Sequence, residues 1–218
     1  MQYSSTWMGS ALELVLLRHG ESEGNRDRRF GGHGPARLTE RGQRQADAAA
    51  RAIWSTWPPG VIYSSDLPRA LETAAPLATL SGLTLHSSPA LRERSVGELT
   101  GRSFEEVQAE RPEVWEALLK RDPDWCPPGG ESHRMCTERI ERFLSELFVH
   151  QPTGRVVLVS HGVAIDLMLR YFLGVSASSL ERFLFHVDNA SISRVVRHPG
   201  GLHRIVVIND TAHLAVSA

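Results

Sequence analysis

The sequence is poor in the features that mark secreted, membrane-bound or nucleic-acid-binding proteins. It has only two cysteines, Cys126 and Cys136, in 218 residues. Two cysteines are too few for a disulfide framework, and their spacing matches no zinc motif. No apolar run is long enough to cross a membrane, and the formal net charge of −1 favours neither nucleic acid nor an anionic membrane as a partner. We therefore expect a reduced, cytoplasmic protein without a bound metal.

Two other kinds of segment are also missing. Neither Gly-x-x-x-x-Gly-Lys nor a strand-linked Gly-x-Gly-x-x-Gly occurs in the chain, which argues against nucleotide binding at a glycine-rich loop. Residues 1–11 lack the charged start and apolar centre of a secretory signal. We interpret them as a loose polar leader, in which Met8 is an alternative start to Met1.

Strand and helix signals alternate along the chain. Short apolar runs predict buried strands, and apolar residues at three- and four-residue steps predict helices. The predicted strands are 12–17, 61–63, 83–86, 156–159, 192–197 and 204–209. The predicted helices are 38–53, 67–80, one that begins after 103, one that contains 136–148, and 164–173. This order predicts an α/β fold, a three-layer sandwich with helices on both sides of a mostly parallel sheet, formed by residues 1–218 as a single domain.

The connecting segments give further expectations. Thr39 is expected to cap the helix at 38–53, and the segment 64–66 is expected to cap the helix at 67–80. The polar segment 21–37 is expected to be a loop, and 111–132 is a candidate lid over the site. The apolar helix faces allow a homodimer, and a monomer is equally consistent with them.

Two of the predicted strands end in a histidine followed by a glycine. One apolar run leads into Arg18-His19-Gly20, and the other leads into Ser160-His161-Gly162. Because the carboxyl ends of parallel strands meet at one edge of the sheet, where ligands bind, we expect His19 and His161 to share a site. The glycine after each histidine would let a ligand approach the backbone.

Further motifs follow in a recognisable order. Arg18-His19-Gly20-Glu21-Ser22 has Asn25 three residues on, and Ser64-Ser65-Asp66-Leu67-Pro68-Arg69-Ala70 places an arginine at a predicted helix start. Leu91-Arg92-Glu93-Arg94 places a carboxylate in a loop, and Ser160-His161-Gly162 supplies the second histidine. In this order the motifs resemble those of the histidine phosphatase superfamily, or phosphoglycerate mutase-like family, and its small phosphatases in particular. The resemblance extends from about residue 14 to 214.

The resemblance implies a phosphomonoester hydrolase that acts on a small phosphorylated metabolite through a phosphohistidine. His19 would attack phosphorus, and Arg18 and Arg69 would grip the phosphoryl oxygens. His161 would stabilise the transition state, as a third cation if it is protonated. Glu93 would protonate the departing alcohol and afterwards take a proton from water. No metal or other cofactor is expected, because these side chains supply the positive charge.

Other residues are expected to contribute around this centre. Ser22, Asn25 and the backbone of Gly162 are candidate ligands of the phosphoryl oxygens, and His33 lies in the loop after the nucleophile, where it would bear on substrate choice. Arg69 could instead pair with Glu72 three residues on. Glu93 could belong to a solvated charge cluster with its arginine neighbours, and Glu98 would then be the next candidate for the acid.

Two other functions are weighed against the phosphatase. A bisphosphoglycerate-dependent mutase makes the same phosphohistidine, but mutases carry an aromatic residue immediately before the asparagine, where this chain has Gly24. The segment from Glu93 to His161 is also shorter than in mutases. A catalytically inert member, which would bind a phosphorylated ligand or a protein, would be expected to lack one of the reacting residues, and all are present.

Overall fold

The computed structural model describes residues 11–176, 179–180 and 182–217, so the predicted leader falls outside the described residues except for Ala11. Within these residues one sheet contains the strands β1 (Leu12–Arg18), β2 (Val61–Ser64), β3 (Leu85–Ser87), β4 (Gly154–Ser160), β5 (Ile192–Arg197) and β6 (His203–Asp210). Their order across the sheet is β3-β2-β4-β1-β5-β6. The first four in this order are parallel, whereas β5 and β6 are antiparallel to their neighbours. The predicted fold class is confirmed.

Helices cover both faces of the sheet. They are α1 (Glu23–Arg26), α2 (Glu40–Thr56), α3 (Pro68–Ser81), α4 (Phe104–Glu110), α5 (Pro112–Lys120), α6 (His133–His150) and α7 (Gly162–Leu173). Thr39 caps α2 as predicted, and Ser103 forms a capping box at the start of α4. The short helix α1 lies in the segment 21–37 that we expected to be a loop, and α5 lies in the candidate lid. No helix among the described residues is both long and apolar enough to span a membrane.

The alternation of side chains along β1 divides the core into two layers. Leu12, Leu14 and Leu16 face α6 and α7, whereas Val15 and Leu17 face α2 and α3. A strand covered on both faces reads as a continuous apolar run, which is why no polar residue interrupts 14–17. The central strands are thereby fixed from both sides, and so are the residues that follow their carboxyl ends.

Helix α6 is amphipathic, as its sequence predicts. Its buried side chains are Cys136, Ile140, Leu144 and Leu147, all in the same apolar cluster as α7. Burying a leucine or isoleucine side chain stabilises the fold by about 1.5–3 kcal/mol. Helix α6 is therefore anchored in the core, which fixes the positions from which its other side chains extend.

The predicted cap of α3 is wrong. Leu67 occupies the N-cap position without a side-chain hydrogen bond, and Pro68 stands in the first turn, where its missing N–H costs nothing. Asp66 instead accepts hydrogen bonds of 2.7 and 2.6 Å from Arg92. Ser65 is fully buried and faces the end of β4. Asp66 therefore binds a distant loop. Ser65 Oγ accepts from the Leu67 amide at 3.3 Å and also binds His161, a tertiary contact that a local capping rule does not anticipate.

The candidate lid is partly structured. It contains α5, and Trp115 and Trp125 pack against a small apolar cluster of Val96, Leu99, Val107 and Val114. The end of the segment is bonded to the loop after Glu93, because the Glu131 amide donates to the Ser95 carbonyl (2.9 Å) and the Glu98 amide donates to the Pro128 carbonyl (3.0 Å).

Candidate active site

The structure brings the two motif histidines together at the carboxyl edge of the sheet. β1 and β4 are parallel neighbours with Arg18 opposite Ser160. The His19 amide donates to the Ser160 carbonyl at 2.9 Å, so β1 and β4 end at the same level of the sheet. The imidazole ring centroids of His19 and His161 are 5.0 Å apart. One small ligand can therefore contact both rings.

His19 has the protonation state of a nucleophile. Its ring is 4% exposed, and its Nδ1 lies 2.7 Å from the Gly20 carbonyl oxygen, which can only accept. Nδ1 therefore carries the proton, and Nε2 is left with its lone pair. Burial, together with the positive charges of Arg69 and Arg18, holds the pKa of His19 well below its ordinary value. A neutral imidazole with a free Nε2 can attack an electrophile.

His161 is oriented by a hydroxyl group. Its ring is fully buried, and its Nε2 lies 2.8 Å from Ser65 Oγ. Burial and the positive charges of Arg69 and Arg18 lower the pKa of His161 well below its ordinary value. The ring is therefore neutral in the ligand-free protein, and the expected third cation would form only when an anion binds beside it and raises that pKa.

The two arginines flank the histidines. Arg69 is the second residue of α3 and is 3% exposed, and its guanidinium donates to the carbonyls of Gly34 (3.1 Å) and Gly32 (2.8 Å). The alternative pairing of Arg69 with Glu72 is wrong, because Glu72 binds Arg37 instead.

Two buried polar atoms at the site have no hydrogen-bond partner among the described residues. They are Arg18 Nε and His161 Nδ1. Arg18 Nε lies 3.6 Å from the position that a Gly162 side chain would take, next to His161. A buried polar group without a partner costs about 1–3 kcal/mol. An anion between the two atoms would accept from Arg18 and remove that cost.

Glu93 borders the same centre, because one of its carboxylate oxygens lies 3.9 Å from the position that a Gly162 side chain would take. It follows the short 3₁₀ turn at Pro89–Leu91, and its carboxylate accepts hydrogen bonds from the amides of Arg94 (2.9 Å), Val163 (3.2 Å) and Ala164 (3.2 Å). The last two amides belong to the first turn of α7, whose dipole attracts negative charge.

Among the described residues, the arginines beside Glu93 do not form the solvated charge cluster that was the alternative for Glu93. Arg92 pairs with Asp66, and Arg94 is buried and donates to the Glu131 carbonyl. Glu98 is exposed in a separate 3₁₀ turn. Of the two candidate acids, Glu93 is therefore the one that faces the arginines, and its negative charge raises the pKa of Arg18 and Arg69 against the larger effect of their burial.

The remaining candidates take different positions. Ser22 caps α1, and its amide and hydroxyl bind Asn25 Oδ1 at 3.1 and 2.9 Å. Gly162 opens α7. His33 Nε2 lies 2.8 Å from the Glu93 carbonyl oxygen, so this histidine contacts the loop of the acid. Gly20 does not make room for a ligand, because its absent side chain would meet the Gly42 carbonyl oxygen at 2.4 Å.

Sequence reasoning missed two residues that organise the site. Ser65, which binds His161, stands in the same motif as Arg69, so its motif was a usable signal. Asn189 Nδ2 donates to the carbonyls of His19 (3.2 Å) and Gly20 (3.3 Å) and to Asn25 Oδ1 (3.0 Å). These contacts span most of the chain, and no local pattern indicates them.

Comparison with known proteins assigns the family. The model of the histidine phosphatase superfamily (branch 1) matches residues 14–211. The chain belongs to the histidine phosphatase superfamily. Among solved members, a mycobacterial glucosyl-3-phosphoglycerate phosphatase complexed with VO3 is 30% identical with a TM-score of 0.84, and 91% of this chain and 99% of that chain are covered. The α-ribazole phosphatase from Shigella flexneri is 28% identical with a TM-score of 0.80, covering 91% and 96%.

Relatives identified by sequence alone are more varied. "Probable phosphoglycerate mutase GpmB" of Cronobacter sakazakii is 35% identical over 187 residues, which cover 84% of each chain. A bifunctional protein of Mycobacterium tuberculosis is 32% identical over 206 residues, or 94% of this chain. This chain spans only 56% of the length of that relative. The superfamily thus includes neighbours named as phosphatases and relatives named as mutases.

Proposed function

We propose that this chain hydrolyses phosphomonoesters of small metabolites through a phosphohistidine formed on His19. The observation that carries the proposal is the state of His19, a buried neutral imidazole whose Nδ1 is bonded to the Gly20 carbonyl. The ring is close enough to Arg69 and Arg18 for their charges to lower its pKa, and its centroid lies 5.0 Å from that of His161. The solved phosphatase neighbours support the same conclusion.

In the first step, His19 Nε2 forms a bond to phosphorus and the bond from phosphorus to the ester oxygen breaks. Charge spreads over the three equatorial oxygens, which Arg18, Arg69 and His161 stabilise. A carboxylic acid at Glu93 gives its proton to the departing oxygen, so the products are an alcohol, a phosphohistidine and the Glu93 carboxylate. The Gly20 carbonyl stabilises the positive charge that develops on the ring.

In the second step, water replaces the alcohol. The Glu93 carboxylate takes a proton from this water as its oxygen attacks phosphorus, and the bond to His19 Nε2 breaks. Inorganic phosphate leaves, and the protein returns to neutral His19 and protonated Glu93. The two arginines supply the positive charge in both steps, so we expect hydrolysis to need no added metal.

A mutase remains the second candidate, because curated relatives carry that name. In a mutase, a hydroxyl of the bound acid takes the phosphoryl group in place of water. Both activities use the same phosphohistidine, so the position of Glu93 and the two arginines does not separate them. The segment between the acid and the second histidine, which includes α5, borders the Glu93 loop and would decide which acceptor reaches phosphorus.

A substrate panel tests the proposal. Phosphate release is measured without added metal on phosphorylated sugars, glycerates, glucosyl-3-phosphoglycerate and α-ribazole 5′-phosphate, and 3-phosphoglycerate is followed in parallel for isomerisation. Release that is resistant to EDTA and an acid-labile phosphoprotein trapped on His19 would support the phosphatase. Isomerisation that depends on a bisphosphoglycerate primer, with little free phosphate, would replace it by the mutase.

A further inference from the structure

The loop that carries Glu93 belongs to no strand, yet its four consecutive carbonyls at residues 90–93 are each held by a side chain from elsewhere. Arg139 NH1 donates to the carbonyls of Ala90 (2.8 Å) and Arg92 (3.2 Å). Ser160 Oγ donates to the Leu91 carbonyl at 2.8 Å. The Glu93 carbonyl accepts from His33 Nε2 at 2.8 Å and from Arg139 NH2 at 3.4 Å. One arginine therefore contacts three of four consecutive carbonyls.

The same arginine is itself locked in place. Its Nε and NH2 donate to the two carboxylate oxygens of Glu131 at 3.0 and 2.9 Å. This two-point geometry fixes the plane of the guanidinium. The Glu131 carboxylate also accepts from the Ser95 amide at 2.9 Å, and the side chains of Arg139 and Glu131 are only 20% and 18% exposed. The loop is thus bonded to α6 directly and through Glu131.

The surroundings of Glu131 favour its charged form. Burial tends to raise the pKa of Glu131, but the hydrogen bonds from Arg139 and from the Ser95 amide outweigh it and hold that pKa below its ordinary value. The charged or titratable groups near Glu131 include Arg139, Arg92, Arg94, Cys136 and, at 3.9 Å, His33.

We propose that Arg139 is a positioning residue that sets the distance between the Glu93 carboxyl and the departing oxygen. The inference rests on the proposed role of Glu93 as the acid. A proton donor must lie within hydrogen-bond reach of its acceptor, and a displacement of about 1 Å can cost about a hundredfold in rate. Without the guanidinium, the Ala90 and Arg92 carbonyls lose the donor that holds them, and Glu131 loses its partner.

The expected signature is a dependence on the leaving group. Arg139→Gln is expected to slow hydrolysis of an alkyl phosphate by about ten- to hundredfold. Release of p-nitrophenolate in the first turnover is expected to change by less than about threefold, because that leaving group needs little protonation in the first step. Arg142→Gln removes an exposed arginine from the same helix and is expected to leave both rates unchanged.

A double-mutant cycle identifies the route of the effect. If Arg139 acts through Glu93, then Arg139→Gln added to Glu93→Gln should slow the alkyl phosphate no further. Arg139→Lys keeps the charge but not the planar fork, and it is expected to show the same substrate dependence at smaller size. It takes the place of the glutamine variant in the cycle if circular dichroism shows that the latter is unfolded.

The outcomes separate the two proposals. Equal losses on both substrates, or effects that multiply in the Glu93→Gln background, would overturn the positioning role and leave Glu93 as the acid. If Glu93→Gln slows formation of the phosphohistidine equally from both substrates, the proposed role of Glu93 as the acid fails, whatever Arg139 does.

Discussion

The two halves of the candidate site are built by different means. The half that we propose to bind phosphate, called the phosphate-binding half, consists of Arg18, His19, Arg69 and His161. These residues stand at the ends of β1 and β4 and on the first turn of α3. Strand register alone places its histidines. The acid half, which is the loop 89–95 with Glu93, belongs to no strand and is held by the side chains of Arg139, Ser160 and His33. A substitution in the phosphate-binding half should therefore alter the reacting groups directly. A substitution of a side chain that holds the acid half should displace the Glu93 carboxyl.

The halves also differ in charge and burial. In the phosphate-binding half, two arginines lie beside two buried histidines, which stay neutral because burial and these charges lower their pKa. In the acid half, the carboxylate of Glu93 is surrounded by backbone amides of α7. The positive charges of the phosphate-binding half therefore attract an anion, whereas the Glu93 carboxylate already accepts hydrogen bonds from three backbone amides. Substitutions in each half should consequently show different substrate dependence.

The largest expected effect comes from the nucleophile. His19→Ala should lower phosphatase activity by about 10⁴-fold or more on every substrate, because no phosphohistidine can form. The measurement is phosphate release from alkyl and p-nitrophenyl phosphates, with trapping of the acid-labile phosphoprotein. His150→Ala, which removes an exposed histidine at the end of α6, serves as the control. Substantial activity in His19→Ala would rule out the proposed intermediate.

The next largest effect is expected from Glu93, and its dependence on the leaving group distinguishes the acid half from the phosphate-binding half. Glu93→Gln cannot donate a proton, so hydrolysis of an alkyl phosphate should fall by about 10²–10³-fold, within the usual range for general acid catalysis. The loss on p-nitrophenyl phosphate should be much smaller in the first step. Glu98→Gln, in the exposed 3₁₀ turn, should leave both rates unchanged. If Glu98→Gln proved the more damaging variant, the acid would have to be reassigned.

A smaller effect is expected from the hydroxyl that orients His161. Ser65→Ala leaves Nε2 of a fully buried ring without its partner, so either nitrogen can carry the proton. We expect about a tenfold loss in kcat/KM and in vanadate affinity, with a displaced pH profile. Ser64→Ala removes a neighbouring buried hydroxyl that bonds only the Ser65 carbonyl and is the matched control. An unchanged pH profile in Ser65→Ala would contradict the orienting role.

The sequence predicts the phosphate-binding half well and the acid half poorly, for a physical reason. An apolar run that ends in histidine is a local pattern, and parallel strands carry two such ends to one edge. The contacts of Arg139 with residues 90–93 span more than forty positions, and those of Asn189 span 170. The helix cap predicted for the segment 64–66 was wrong for the same reason, because the Asp66 carboxylate binds the distant Arg92. Tertiary contacts decide these side chains, and single-sequence patterns do not contain them.

The smallest effect concerns the free energy of unfolding rather than the rate, and it arises at His133, the first residue of α6. Burial, and then the charges of Arg94, Arg121 and Arg170, lower the pKa of His133 to about 3. In the unfolded chain a histidine titrates near 6.5, so between about pH 6.5 and 3 the unfolded state binds a proton that the folded state does not. This linkage should reduce the free energy of unfolding by about 1.4 kcal/mol for each unit that the pH falls.

His133→Gln should remove this contribution, so the variant loses less stability than the parent protein as the pH falls through this window, while phosphatase activity at neutral pH is retained. Urea unfolding at several pH values between 4.5 and 7 measures the slope. Met135→Gln, at a half-exposed neighbour in the same helix, removes no titratable group and should keep the parental slope. If His133→Gln also kept it, His133 would have to be protonated in the folded protein. Protonated His133 would then be a fourth positive charge near Arg94, Arg121 and Arg170, which is unfavourable.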